Sequence, residues 1–185
     1  MRSVKIVISA ILFLGVIGAR AQTVAPPASV VMTCQQVTTT RPDVGVAYKG
    51  QVAIDDYKFA ARIPSGLIGW GGVASDAPFH GFTIFLGPGV QSCILFEVHV
   101  RVNEDEAPLR LDSAKTFSLG EAKAWQTSTS STVGTARLTN VKTSFSFKHG
   151  NQITDGEVLL ISPSAELGKT RPIYEAFLRS IKFGQ

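Results

Sequence analysis

A carboxylate and a histidine two residues apart are the first candidates for chemistry in this sequence. Glu97 and His99 lie in the stretch from Cys93 to Val102, where apolar and polar residues alternate as in a β-strand. Side chains at i and i+2 of a strand point to the same face. His80 would approach them if residues 80–86 form the neighbouring strand. Two imidazoles and one carboxylate can bind zinc or another divalent metal.

The same residues also fit a simpler interpretation. A metal site needs at least three converging ligands, and spacing links only Glu97 and His99. Without a third ligand, Glu97 would pair with Arg101 or another neighbour on a solvated face. We therefore expect no metal and no cofactor. A small metal-binding protein or metal-dependent hydrolase that uses His80, Glu97 and His99 is the alternative function.

Motifs of the common enzyme classes are missing from the sequence. It has no Gly-x-Ser-x-Gly elbow, His-Glu-x-x-His pair, Cys-x-x-Cys pair or glycine-rich phosphate loop. Ser75 and Asp76 near His80 supply the residue types of a hydrolytic triad, but triads assemble from distant segments. Ser and Asp are also common in turns. We expect no catalytic residues, and a protein that acts by binding.

Trp70 is the main candidate for contact with a partner. Tryptophan is enriched at binding hot spots, and glycines allow close approach to the backbone. Phe79 is the second candidate. The alternative is that Trp70 folds back onto the core, since large aromatic side chains are mostly buried. The glycines that flank Trp70 are Gly66, Gly69, Gly71 and Gly72.

The first 21 residues have the composition of an export signal. Arg2 and Lys5 precede the apolar run from Ile6 to Ile17, and residues 19–21 match the small-x-small pattern of a signal-peptidase site. The run is shorter than the ~20 residues that a membrane-spanning helix needs. We expect a periplasmic or secreted protein that begins at Gln22. An uncleaved N-terminal anchor is the alternative.

The charge balance depends on this segment. The chain has 18 Lys and Arg and 14 Asp and Glu, which gives a net charge of +4. Three of the basic residues lie in the signal, so the mature chain has a net charge of +1. No cluster of Lys and Arg indicates nucleic acid or an anionic membrane surface. We expect the partner to be another envelope or secreted protein, and the mature chain not to be an integral membrane protein.

Cys34 and Cys93 both follow the cleavage site. A pair of cysteines in an oxidising compartment favours a disulfide. The bridge would close a loop of about 60 residues and stabilise the fold by about 4 kcal/mol in the chain-entropy model. Two buried free thiols are the alternative.

Hydrophobic patterning predicts one α+β domain at 30–185 after a flexible linker at 22–29. Strands are expected at 44–54, 57–63, 80–86, 93–102, 143–148 and 157–162, with loops at 64–78 and 127–135. Pro172 is expected to open a C-terminal helix that packs against an antiparallel sheet, before a short closing strand at Lys182 and Phe183. Ser118 and Glu121 have the spacing of a capping box, which predicts one short middle helix from Leu119 to about Gln126 that buries Trp125.

The order of these elements resembles that of PsbP/Mog1-like domains. The resemblance covers most of the mature chain and rests on Tyr57-Lys58-Phe59 leading to Ile63-Pro64, the Gly/Trp segment, the paired central strands and the closing residues 174–183. The segments 69–72 and 78–82 are not part of that pattern. Those domains are typically non-catalytic assembly or interaction factors, so the resemblance implies a binding role and names no partner.

The export signal makes a prediction about the mature protein. Because the small-x-small pattern ends at Ala21, protein recovered from the periplasm or medium should begin at Gln22. Intact-mass analysis and N-terminal sequencing would measure this directly. A recovered protein that still begins at Met1 would contradict cleavage and support the anchor.

Overall fold

The structure is a computed structural model that describes residues 34, 45–72, 81–87, 92–102 and 115–184. The expected signal peptide and linker lie outside the described residues, as do four residues considered for chemistry or binding: Ser75, Asp76, Phe79 and His80.

Eleven β-strands and a C-terminal helix make up the described part of the chain. In chain order the strands are β1 (Gly45–Tyr48), β2 (Gln51–Ile54), β3 (Phe59–Arg62), β4 (Gly69–Gly72), β5 (Gly81–Phe85), β6 (Cys93–Val102), β7 (Lys115–Leu119), β8 (Ala122–Val133), β9 (Ala136–His149), β10 (Gln152–Pro163) and β11 (Lys182–Phe183). The helix, α1, spans Leu167–Ser180.

The strands form two antiparallel sheets. The large sheet has the order β1-β4-β5-β6-β10-β9-β8-β7, and the small sheet has the order β11-β3-β2. The strand expected at 44–54 is divided, because β1 pairs with β4 in the large sheet and only β2 pairs with β3. The strands expected at 80–86 and 93–102 pair as β5 and β6. The expected closing strand is also confirmed, since β11 pairs with β3.

The main core lies between one face of the large sheet, which we call the inner face, and a layer formed by α1 and the small sheet. Alternation along β6 puts Ile94, Phe96 and Val98 on this face, where all three are buried. Tyr174 and Phe177 of α1 are buried against them, and the rings of Phe96 and Phe177 meet edge to face at 5.9 Å. Each such side chain contributes about 1.5–3 kcal/mol by leaving water. The expected α+β arrangement, an antiparallel sheet with a C-terminal helix packed against it, is confirmed.

The prediction of a short middle helix is wrong. Leu119 ends β7 and pairs with Ala122 at the start of β8, so Gly120 and Glu121 form the loop of a tight hairpin. Gly120 has a φ of +57°. A positive φ at the first position of a two-residue hairpin loop is typical of a type II′ turn and favours glycine. Trp125 therefore lies on a strand and not on a helix.

The Ser/Thr-rich stretch at 127–135 is mostly strand and not a loop. Residues up to Val133 belong to β8, and Ala136 opens β9. Threonine is a good β-former because its branched side chain fits a pleated surface. The patterning missed this because Ser and Thr also dominate turns, and no apolar alternation separates the two cases here.

The segment around Trp70 is also a strand. Gly69–Gly72 form β4, which pairs with β1 and β5, so the loop expected at 64–78 is wrong for these four residues. Gly69, Gly71 and Gly72 therefore lie on a strand and not in a turn. Their neighbours across the inner face give a different reason for them.

Two of these glycines make room for side chains of the core. A Cβ on Gly69 would lie 2.9 Å from Cδ1 of Ile63, and a Cβ on Gly71 would lie 2.6 Å from the ring of Tyr48. Real Cβ atoms do not approach carbon this closely. The glycines of β4 therefore permit close packing on the inner face.

The C-terminal helix begins earlier than predicted. Its first residue is Leu167, so Pro172 lies inside the helix and not at its first position. Proline in that place cannot donate to the carbonyl of Gly168, four residues earlier. Buried side chains on both sides of it, Thr170 and Tyr174, hold the helix against the sheet.

Side-chain hydrogen bonds fasten the small sheet to the large one. Gln152 Nε2 donates to the carbonyl of Asp56 at 2.7 Å, and Thr154 Oγ1 donates to the carbonyl of Tyr57 at 2.8 Å. These bonds join β10 to the turn between β2 and β3. That turn is consequently held at one end of the large sheet.

Cys34 and Cys93 form the expected disulfide. The sulfur atoms are 2.05 Å apart, and the two residues are 59 positions apart in sequence. Both are buried, with Leu95, Leu138 and Ile161 around them. This second cluster lies on the face of the large sheet opposite α1.

The disulfide should account for a large part of the stability. Replacement of both cysteines, Cys34→Ala with Cys93→Ala, should lower the free energy of unfolding by about 4 kcal/mol, because the unfolded chain regains the entropy of the open loop. Urea unfolding of the variant and of the oxidised wild type measures the difference. A loss below about 1 kcal/mol would contradict this account.

The hydroxyl of Tyr174 is the buried polar group on which the helix–sheet contact centres. It lies 2.6 Å from Thr143 Oγ1 and 3.0 Å from the carbonyl oxygen of Val158. Gln126 Nε2 donates to the same Thr143 oxygen at 2.9 Å. Desolvation by burial raises the pKa of Tyr174 to about 12 from the ordinary 10.0, against the opposing effect of these hydrogen bonds.

This pKa predicts a loss of stability in alkali. The folded state holds the Tyr174 proton more tightly than the unfolded state, so the contribution is complete below pH 10 and is lost between pH 10 and about 12. Two pKa units correspond to about 2–3 kcal/mol. In Tyr174→Phe this loss should be absent, and the stability advantage of the wild type should shrink over that range. Urea unfolding of both proteins at several pH values measures it, and parallel pH dependences would contradict it.

Candidate functional site

The face of the large sheet opposite α1 is called the outer face. It carries most of the described residues that the sequence analysis named as candidates for partner or metal binding. Strand register aligns its side chains in rows. One row is Trp70, Thr83, Leu95, Leu159, Lys142 and Thr127; the next is Gly81, Glu97, Glu157, Ser144 and Trp125; a third is His99, Asp155, Ser146 and Lys123.

One part of the outer face is apolar and closed. Cys34, Leu95, Leu138 and Ile161 are all buried there, around the disulfide. The rest of the face, from Trp70 across to Lys123, is mostly polar and at least partly exposed, except for buried Ser144. A partner that approached this face would therefore meet the polar rows.

Trp70 is exposed on the outer face. It lies opposite Thr83 of β5 and Ala47 of β1, with 46 % of its surface accessible. Within the described residues, the exposed large hydrophobic side chains are Trp70, Val46, Val100 and Val133, so Trp70 is the only aromatic among them. Its neighbours on the same strand, Gly69 and Gly71, face the core. The structure therefore places Trp70 away from the core.

Glu97 and His99 are both exposed on the same face, as their spacing predicted. Gly81 is the residue of β5 that lies opposite Glu97, and Asp155 of β10 lies opposite His99. Among the described residues, no group of three or more His, Cys, Asp or Glu side chains is arranged to hold a metal ion. His80 lies outside the described residues, so the three-residue metal site stays a prediction.

An ion pair organises the middle of the outer face. Glu157 lies opposite Glu97 in the ladder, and like charges directly opposite each other repel. Lys142 Nζ lies 2.7 Å from Glu157 Oε1, and Ser144 Oγ donates to the same oxygen at 3.2 Å. This arrangement neutralises one carboxylate and leaves Glu97 facing solvent.

Trp125 is a feature of this face that the sequence analysis misplaced. It lies on β8 opposite Ser144 and Thr116 and is half-buried. The alternation of buried Ala122 and Ala124 with exposed Lys123 is a strand signal that the glycine before them obscured.

A groove of about 550 Å³ is a second feature that the sequence did not indicate. It lies where the chain passes from the small sheet to the large one, between the β1–β2 link and the segment that joins β3 to β4. Lys49 and Arg62 line it together with Ile63, Pro64, Leu67 and Ile68, and no carboxylate of the described residues lines it. The groove could not be predicted from a short motif, because its two sides come from separate segments that meet only in the folded structure.

The described helix α1 is too short and too polar to cross a membrane. This finding concerns the described part of the chain.

Comparisons with known proteins give a likeness of fold. No family model matches the sequence, and a search of curated proteins finds no match. Among solved structures, the chain is similar to LpqN of Mycobacterium tuberculosis, with a TM-score of 0.54, 10 % identity, and coverage of 83 % of this chain and 98 % of that one.

Two further structures have lower scores. A Bacteroides thetaiotaomicron protein has a TM-score of 0.49, 11 % identity, and coverage of 74 % of this chain and 49 % of that one. The cyanobacterial PsbP protein of Synechocystis has a TM-score of 0.39, 10 % identity, and coverage of 76 % and 95 %. The weak resemblance to PsbP/Mog1-like domains holds at the level of the fold.

Proposed function

We propose that this chain is an exported, non-catalytic interaction protein that binds another envelope or secreted protein through its outer face. The observation that carries the proposal is the exposed indole of Trp70 on a strand where its two neighbours, Gly69 and Gly71, face the core. Inhibitor, immunity and assembly factors are the concrete forms this function would take.

The position of Trp70 supports a binding role. A hot spot needs a large side chain that is free to insert into a partner and a backbone that does not move. Pairing of β4 with strands on both sides supplies the rigid backbone. Exposure of nearly half of the indole supplies the contact surface.

The polar rows beside Trp70 also support it. Protein interfaces combine an aromatic centre with a polar rim. Thr83 is the immediate neighbour of Trp70, and Glu97, His99 and Lys142 lie further along the rows. Charged groups of both signs on this face would set the orientation of a partner more than its affinity.

Export is supported by the disulfide. Disulfides persist in the periplasm and outside the cell and are rare in the cytosol. LpqN, which shares the fold, is described as involved in cell envelope biogenesis, and a protein of that kind would work in the same compartment. The signal at 1–21 would deliver the chain there.

The test of this proposal is a pair of matched variants. Trp70→Ala should leave the fold intact, because the indole is not part of the core, and should weaken partner capture at least tenfold, as expected for loss of a hot spot. Val46→Ala is the control. Val46 is 47 % exposed and lies on neighbouring β1, opposite Gly71, so its side chain points to the other face.

The measurement uses the oxidised mature protein as bait in its native envelope extract, with mass spectrometry of the bound protein. A protein retained by wild type and Val46→Ala, but lost with Trp70→Ala, is the expected result. Equal capture by all three baits, with unchanged circular dichroism, would overturn the role of Trp70.

A further inference from the structure

The groove between the two sheets has the properties of a site for a small amphiphilic anion. It forms because β1 and β4 pair in the large sheet, whereas the strands that adjoin them in sequence, β2 and β3, pair in the small sheet. The long hairpin bends at this junction. Residues 63–68 on one side face the short link at Lys49 and Gly50 on the other.

The walls of the groove are held in place by the fold. Ile63 N–H donates to the carbonyl of Gly50 at 2.8 Å, which keeps the two sides of the hairpin together at the bend. Arg62 N–H donates to Ser180 Oγ at the end of α1 at 2.9 Å. The backbone that carries the guanidinium is therefore fixed by both a strand and a helix.

Among the described residues that line the groove, the charged side chains all have one sign. Lys49 and Arg62 line it, and neither forms an ion pair with a carboxylate of the described residues. The mature chain is close to neutral as a whole, so this is a local excess of positive charge. Two cations beside a partly enclosed surface attract anions, and arginine in particular binds phosphate and carboxylate groups through two parallel hydrogen bonds.

The lining of the groove also has an apolar part, Pro64, Leu67 and Ile68, which we call its apolar floor. Ile63 is buried, and Pro64, Leu67 and Ile68 are partly exposed. A volume of about 550 Å³ lies in the range of small-molecule sites, which combine an apolar lining with a few placed polar groups. A free inorganic ion would leave this apolar surface in contact with water.

We propose that the groove binds a small organic anion whose phosphate or carboxylate group lies between Lys49 and Arg62 and whose apolar part covers Leu67 and Ile68. A soluble phosphate ester and the headgroup of an anionic lipid share this chemistry. The proposal does not depend on the Trp70 surface, and neither cation of the groove belongs to that surface.

The probe is hexyl phosphate, titrated into the oxidised protein and followed by calorimetry. Wild type should bind it at least tenfold more tightly than inorganic phosphate, since burial of two methylene groups accounts for that factor. The double variant Lys49→Gln with Arg62→Gln should bind hexyl phosphate at least tenfold more weakly than wild type. Higher salt should weaken binding by the wild type.

Lys169→Gln is the control, because Lys169 is exposed on α1 and does not line the groove. It should bind hexyl phosphate as the wild type does. No binding of hexyl phosphate by the wild type, or equal binding by the double variant, would overturn the site. Equal affinity for inorganic phosphate and hexyl phosphate would overturn the role of the apolar floor.

A vesicle flotation assay distinguishes the headgroup of an anionic lipid from a soluble phosphate ester as the natural ligand. Wild type that floats with phosphatidylglycerol vesicles, but not with phosphatidylcholine vesicles, and a double variant that does neither, would identify a lipid headgroup. Hexyl phosphate binding without flotation would identify a soluble ester. In either case, partner capture by the double variant should match that of the wild type, so this proposal and the proposed function can fail separately.

Discussion

The packing of α1 on the inner face of the large sheet is the contact on which the rest of the structure depends. A sheet hydrophobic on one face must bury that face, and α1 covers it together with the small sheet, whose Phe59 and Phe183 contact Phe96 and Phe145. Tyr174 and Phe177 reach the strands in the middle, β6, β9 and β10. The polar contact at Tyr174 is satisfied, so it adds specificity to the packing without leaving a buried group unpaired.

This contact buries the inner face of the large sheet and leaves the outer face uncovered by α1. The outer face consists of two parts. Its apolar part is closed around the disulfide, with Cys34 brought onto it from a distant position in the sequence. Its remaining part is polar. Side chains there are under fewer constraints from folding than those of the inner face.

The sequence predicted the parts of the fold in which alternation and burial agree. The faces of β6, the hairpins and the apolar side of α1 follow from the spacing of residues such as Phe96 and Phe177. The sequence-based predictions were wrong where glycine, serine or threonine is common in two different kinds of local structure. Gly120 supports a hairpin turn as readily as it weakens a helix, and Gly69 and Gly71 were needed for close packing, which only the paired strands reveal. For the same reason the spacing of Glu97 and His99 was predictable, whereas the groove at Lys49 and Arg62 was not, because its two sides meet only after the hairpin bends.

Folding alone does not explain Trp70. An indole with 46 % of its surface in water forgoes much of the stabilisation that burial would give, and a smaller residue would pair equally well in β4. Packing of the core explains the glycines beside it, since larger residues would collide with Ile63 and Tyr48. Trp70 has no comparable reason on its own side of the strand, where Thr83 and Ala47 are small. Among the described residues, none gives Trp70 a packing role on this side of the strand, and this is why the proposed function assigns the partner contact to it.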